Sequence, residues 1–229
     1  MGRSGENFLS LLDNEQVSIF CAYDKDYSPF KAKILNENLF SDLGFKNIKQ
    51  CVFMNQIHSN KVEIFTKSFT NFSCDGIIST CKNTALCVLS ADCLPLLLWH
   101  KSGIIAGLHS GRKGTFENIL KESIDKFHLL NPSIKNEEIN LFIAPSICQK
   151  NYEIKDELLS FSQKYFKDFI KNSRLDLKAI VKKQAKDLRI NNIKDCNICT
   201  FDDKRFFSYR REQTNKRFVS VIVLKDLNV

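Results

Sequence analysis

The chain has 229 residues, 43% hydrophobic and 26% charged, a composition that fits an ordinary globular protein and excludes disordered and collagen-like chains. Lys and Arg number 34 against 26 Asp and Glu, a net charge of +8. The lysines are spread over helix-like segments as solvated faces, which favours small anionic substrates over a nucleic-acid groove. The longest apolar stretch, Ala85 to Trp99, is interrupted by Ser90, Asp92 and Pro95, so it falls short of the roughly 18 uninterrupted apolar residues of a membrane span. The start, MGRSGENF, lacks a secretory apolar core and carries Glu6 where a myristoylation signal needs a hydroxyl. A cytoplasmic protein without a membrane partner is expected, and no feature reports on oligomeric state.

In chain order, β-branched and aromatic runs predict strands at 17–23, 49–57, 62–66, 76–81, 85–91, 94–100, 103–109, 139–145, 195–201, 205–210 and 217–224. A shorter helix is expected over Lys33 to Leu43. Helical periodicity recurs at 116–130, where Phe116, Ile119, Leu120, Ile124 and Phe127 fall on one face, and again at 157–171 and 176–188. Strands outnumber helices and the two alternate irregularly, which predicts an α+β fold over a doubly wound sheet. There is no repeat and no linker, so one domain over 1–229 is expected.

Nine cysteines, several inside apolar runs, read as reduced small hydrophobes rather than a disulfide framework. Cys196 and Cys199 have the spacing of a redox motif but lack its strand-to-helix setting. The nearest approach to a nucleic-acid patch is FFSYRREQTNKRF, 206–218.

Three polar residues stand at the ends of apolar runs: His58 after CVFMNQI, Cys93 after ALCVLSAD, and His109 after GIIAGL. Their dispersal is that of a site assembled by rigid strand ends. Two imidazoles and a thiolate make a reasonable Zn²⁺ set with a fourth position open. The same pattern also reads as satisfied histidines beside a packing thiol. His128, on a Lys-rich helix, reads as structural, and His100, ending a strand, as solvated or capping.

NQIHSNKV, CDGIISTCKNTALCVLSADCLPLLLW, GIIAGLHSGRKGT, IAPSICQKNYEI and CTFDDKRFFSYRR, in this order from about residue 50 onward, resemble the YfiH-like multicopper polyphenol oxidoreductase, or laccase-domain, family. The resemblance implies a single four-layer α/β/β/α domain with mixed sheets, related to cytotoxic necrotizing factor and YfiH-like cysteine hydrolases. It implies a metal centre of His58, Cys93 and His109, with zinc or alternatively copper, and Asp92 beside it as a group that either supports the ligands from behind or handles protons. It implies purine nucleoside phosphorylase activity on adenosine, inosine, guanosine and methylthioadenosine, with phosphate as co-substrate and adenosine deaminase as a second activity. Older descriptions of the family are copper-dependent polyphenol oxidases.

Ser110 to Thr115 leads into the helix expected near Phe116, so phosphate could sit at that helix start beside Arg112 and Lys113; a basic surface turn capped by Thr115 fits the same residues. Arg210 and Arg211 are a second candidate anion contact or simple strand-end solvation. The family's His-Ala-Gly-Trp-Arg-Gly is here His109-Ser110-Gly111-Arg112-Lys113-Gly114. Asn36-Glu37 replaces a common Asn-Arg, and a Gly-rich loop is reduced to DKDYS. The metal set is intact, while substrate preference and rate are left open. A Cys-His hydrolase, with Cys93 as nucleophile and His109 as base, is the second enzyme reading. Multicopper oxidation is the third, and it asks for more histidines than the four present. A basic nucleic-acid-binding domain is the non-enzyme reading.

Overall fold

The computed structural model describes residues 4–226 apart from Glu6, Asn7, Asp24, Glu37, Asn38, Lys46, Lys67 and Asn71. Two of the family departures, Asp24 and Glu37, therefore lie outside the described residues. The strands are β1 (Ser4–Gly5), β2 (Phe8–Asp13), β3 (Val17–Ala22), β4 (Ile34–Leu35), β5 (Gln50–Phe53), β6 (Val62–Ile64), β7 (Gly76–Ser79), β8 (Thr84–Ser90), β9 (Leu94–His100) and β10 (Ile104–Ser110). After them come α1 (Arg112–Phe116), α2 (Ile119–Leu130), β11 (Asn140–Ile143), α3 (Asp156–Tyr165), β12 (Ile170–Lys171), β13 (Arg174–Leu175), α4 (Leu177–Asp187), β14 (Asn192–Asp195), α5 (Tyr209–Glu212) and β15 (Phe218–Leu224).

Two mixed sheets stack face to face. One runs β1-β2-β3-β15-β8-β5-β4 and the other β14-β11-β9-β10-β7-β6. The parallel pairs are β5 with β8, β6 with β7 and β11 with β14. The period of two decides which residues meet. In β9, Leu97 and Trp99 enter the core between the sheets, while Leu94, Leu96 and Leu98 face the helical layer. Both faces are covered, which is why β8, β9 and β10 read as unbroken apolar runs. The sheets approach closely at Gly107, where a Cβ would meet Val88 Cγ2 at 3.1 Å and Leu86 Cβ at 3.3 Å.

The helices α2 and α4 lay Ile119, Leu120, Ile124 and Phe127, and Leu177, Ile180, Val181 and Ala185, on the six-stranded sheet. Each fully buried side chain of this kind stabilises the fold by about 1.5–3 kcal/mol. On the far side of the seven-stranded sheet, Tyr27, Phe40 and Ile48 cover β3, β5 and β8. That fourth layer is built from short 3-10 turns, Ser28–Phe30 and Ser41–Leu43.

Five segments depart from their sequence expectation. The helix expected at 157–171 ends at Tyr165 and gives way to a 3-10 turn, Lys167–Phe169, and then β12. Lys33 to Leu43 is not a helix: Ile34–Leu35 pairs with β5, and the 3-10 turn stops at Gly44 with φ 88. Its apolar residues mimic helical spacing because several short pieces share one job, covering the sheet. The helix expected at 116–130 is divided by Asn118, which adopts φ 56 and accepts the Lys121 N–H on its side chain. The strand expected at 195–201 lies earlier, at Asn192–Asp195, and the chain turns at Asn197 with φ 58. The aromatic run 205–210 is no strand. Ser208 caps α5, and its side chain accepts the Arg211 N–H at 3.2 Å.

Three connections pass from one sheet to the other at the same end of the stack: residues 54–61 between β5 and β6, residues 91–93 between β8 and β9, and residues 196–217 between β14 and β15. The C-terminal end of β10 reaches the same place. His109 has the parity of Ile105 and Gly107, so it looks into the gap between the sheets.

Candidate active site

His58 is not at a strand end as expected; it sits in the 54–61 crossing with φ 57. Asp75, just before β7 and fully buried, holds that loop in place. Its carboxylate accepts the N–H groups of Ile57 (3.2 Å), His58 (3.0 Å) and Ser59 (2.7 Å), and the Ser59 hydroxyl at 2.8 Å. Asp75 Oδ1 also lies 2.8 Å from His109 Nδ1, and its carbonyl accepts the His109 N–H at 2.7 Å. Burial alone raises the Asp75 carboxyl; the hydrogen bond and charge of His109, with Ser59, reverse this and hold it below the usual carboxylate value. With Nδ1 engaged, His109 turns Nε2 toward Cys93.

Cys93 occupies the 91–93 crossing. One ligand atom from each of His58, Cys93 and His109 lies within 4.8 Å of the others. The imidazole rings meet edge to face, with centroids 4.9 Å apart. Burial works to raise the Cys93 thiol, but the charge and hydrogen bond of His109, then those of His58, bring it down to about 6. Burial likewise opposes the His109 imidazolium, while Cys93 and Asp75 lift it to about 9. Without a metal these two form a thiolate–imidazolium pair. The N, N, S donor set fits a borderline-soft ion such as zinc. The space is kept open by Gly111, where a Cβ would come 3.2 Å from Cys93 Sγ and 3.3 Å from His58 Cδ2. Gly114 lets α1 pack under the His58 loop, since a Cβ there would stand 2.8 Å from the Ser59 carbonyl oxygen.

Asp92, expected either to support the ligands or to handle protons, has its carboxylate taken by the Thr200 hydroxyl (2.6 Å), the Ser208 hydroxyl (3.0 Å) and the Arg210 N–H (2.6 Å). Its φ of 99 is unfavourable for a non-glycine residue, and these bonds, with Ile147 N–H on its carbonyl at 2.9 Å, hold it there. The geometry gives Asp92 a positioning role: it ties the 196–217 crossing to the Cys93 turn.

The trio opens into a cavity of about 740 Å³, with Lys31, Arg112, Lys113, Arg210 and Arg217 on its walls beside Tyr152 and Tyr209. Arg112 and Lys113 lie inside α1, not in a loop before a helix, and Thr115 is buried against the Ser110 hydroxyl at 2.8 Å instead of capping. Among the described residues Arg112 makes no ion pair. The Arg210 guanidinium lies 5.1 Å from the Tyr152 ring centre and donates to the Glu153 carbonyl at 2.7 Å. Arg211 is elsewhere: it donates to the carbonyls of Thr200, Phe201 and Phe206 and pairs with Glu212, away from the cavity wall. His100 is buried, not solvated, between Ser102 and Glu138. His128 bonds Asn136 at 2.8 Å.

Sequence reasoning missed Asp75, Thr200 and Ser208. No local signal marks Asp75: its role arises only because β7 pairs with β10, where Gly76 stands opposite Leu108.

This stacked-sheet fold, with a His/Cys/His cluster where the sheets exchange strands, defines a laccase-like α+β protein. Residues 31–225 match the family model described as multi-copper polyphenol oxidoreductase laccase, and the chain belongs to that family. It is 64% identical to a Campylobacter jejuni protein named purine nucleoside phosphorylase, over 99% of this chain and 100% of that one. It is 33% identical to a Clostridium acetobutylicum protein of the same name, over 83% and 84%. Among solved structures, YfiH of Bacillus licheniformis superposes with a TM-score of 0.80 at 19% identity, covering 98% and 99% of the two chains. YlmD of Geobacillus stearothermophilus gives 0.77 at 18%, covering 98% of each. Among the described residues no helix is long and apolar enough to cross a membrane.

Proposed function

We propose that this chain is a cytoplasmic purine nucleoside phosphorylase in which His58, Cys93 and His109 hold zinc, with copper as the alternative metal. Its substrates would be adenosine, inosine, guanosine and methylthioadenosine with phosphate, and adenosine deamination a second activity. The observation that carries this reading is one cavity combining the N, N, S trio with a wall of Lys and Arg. Its volume suits a nucleoside together with phosphate, and the names of the two relatives point the same way.

In phosphorolysis a phosphate oxygen bonds to C1′ of the ribose as the C1′–N9 bond breaks. The electron pair leaves with the purine, which takes up the proton that the phosphate gives up, giving free base and ribose-1-phosphate. Zinc, when bound, supplies a fixed charge that polarises an oxygen ligand. The chain's own residues do the placing. Arg112, unpaired among the described residues, faces the anion; Arg210 is oriented by Tyr152 and Glu153; Asp75 fixes the His109 ring. The rings of Tyr152 and Tyr209 offer apolar surface to a purine.

The order Asp75, His109, Cys93 also favours a second reading, a Cys-His hydrolase. One assay separates them. Base release from inosine and adenosine is followed with and without phosphate, before and after chelation. Phosphorolysis requires phosphate and yields ribose-1-phosphate; equal release without phosphate, blocked by alkylating Cys93, makes the enzyme a hydrolase.

A further inference from the structure

Behind the cavity wall a second cluster brings together Cys148, Cys199 and Asp202, whose two sulfurs and one carboxylate oxygen lie within 4.8 Å of one another. Cys199 therefore meets Cys148, not Cys196, so the C-x-x-C spacing plays no part. Nitrogen donors surround the sulfurs. The Cys148 N–H reaches Cys199 Sγ at 3.3 Å, and the Asn151 side-chain amide reaches Cys199 Sγ at 3.3 Å and Cys148 Sγ at 3.5 Å. The two donors on Cys199 favour that sulfur carrying negative charge. Both thiols are half-buried and Asp202 is exposed, so an ion can enter from solvent. The competing charge is Lys150, 3.7 Å from Asp202 at the exposed edge.

We propose that Cys148, Cys199 and Asp202 form a second metal site, separate from His58, Cys93 and His109, that takes one thiophilic divalent cation of the zinc class. Two sulfurs and a carboxylate select such an ion over magnesium or calcium, which prefer all-oxygen sets; solvent supplies the fourth position. Cys199 and Asp202 come from one turn and Cys148 from another segment, so the ion clasps the two. Both segments hold the Cys93 turn: Ile147 N–H bonds the Asp92 carbonyl, and the Thr200 hydroxyl bonds its carboxylate. Ile147 also lines the cavity. The clasp fixes the wall behind the reaction site.

The test is cobalt(II) titration of chelator-treated, fully reduced full-length protein, read by the thiolate-to-cobalt charge-transfer band. Cys148→Ser and Cys199→Ser should each bind one equivalent fewer than wild type, while Cys93→Ala keeps the stronger, two-thiolate band. Asn151→Ala, which spares every ligand, should weaken zinc binding at this site about 10- to 100-fold against a chromophoric chelator. Unchanged stoichiometry in both serine variants overturns the proposal, as does a Cys148–Cys199 disulfide in unreduced protein with no cobalt bound there after reduction. Failure of the first site has a different signature, Cys93→Ala binding as many equivalents as wild type.

Discussion

His109 Nδ1 sits 2.8 Å from Asp75 Oδ1, and the same carboxylate accepts the backbone N–H of His58 at 3.0 Å. One buried side chain thus orients the His109 imidazole and holds the backbone that carries His58. Asp75→Asn is the direct probe, because an amide cannot accept on both sides. In chelator-treated protein, iodoacetamide should alkylate wild-type Cys93 with a midpoint near 6. Losing the Asp75 charge lowers His109, and the Cys93 midpoint should move upward. An unmoved midpoint would show that Asp75 does not support the pair.

The same pair makes a linkage prediction. The raised His109 contributes stability that is lost as pH rises toward about 9. The lowered Cys93 contributes stability that is lost as pH falls toward about 6. These slopes oppose each other, so between the two values the pair leaves the stability of chelated protein nearly flat. Cys93→Ala removes the Cys93 slope entirely but only part of the His109 slope, the remainder of which Asp75 supports, so the urea-midpoint profile should tilt relative to wild type; parallel profiles would refute the ion pair.

Metal retention at the trio should depend on Cys93 and on open space at Gly111. Cys93→Ala is expected to lose one equivalent of zinc from protein purified without added metal. Gly111→Ala has an ordinary backbone, φ −72, so it should fold normally, yet its Cβ crowds Cys93 and His58. Its zinc affinity should fall with little change in melting temperature. Wild-type affinity in Gly111→Ala would place the ion elsewhere.

Phosphate recognition should rest on Arg112 more than Lys113, since Lys113 lies 3.8 Å from Glu117 and is a point charge. A lost charge-assisted hydrogen bond is worth about 1.5–3 kcal/mol, or roughly 10- to 150-fold, and exposure pulls the effect to the lower end. Arg112→Ala should raise the phosphate KM by about 10-fold. Arg211→Ala should leave KM alone and lower stability, because three carbonyls lose their donor. If Arg112→Ala and Lys113→Ala combined leave KM unchanged, Arg210 is the next candidate to test, followed by Lys31 and Arg217 on the same walls.

Asp92→Ala should destabilise the protein by about 3 kcal/mol, since it strands the Thr200, Ser208 and Arg210 donors. Asp92→Asn, which keeps an acceptor, should cost less. A urea-denaturation series that found the two variants equal would remove the positioning role given to Asp92.

Much of this protein was legible in its chain. The unbroken apolar runs of β8, β9 and β10 declared strands buried on both faces, and the period of α2 and α4 declared their packing stripes. The placement of Cys93 and His109 at the ends of such runs marked them as candidates, because strand ends are where rigid backbone meets open space; His58 was marked the same way, although it lies in the crossing after β5 and not at a strand end. Other features depended on contacts between distant segments. Lys33 to Leu43 had helical spacing, but the outer face of a sheet needed covering by short turns, and tertiary burial outweighed local propensity. Nothing near Asp75 in sequence announces that it binds the backbone of the His58 loop, nor does the C-x-x-C spacing reveal that Cys199 meets Cys148. Local sequence carries periodicity and turn chemistry. The pairing of groups far apart along the chain was decided only when the two sheets stacked and three crossings converged at one end.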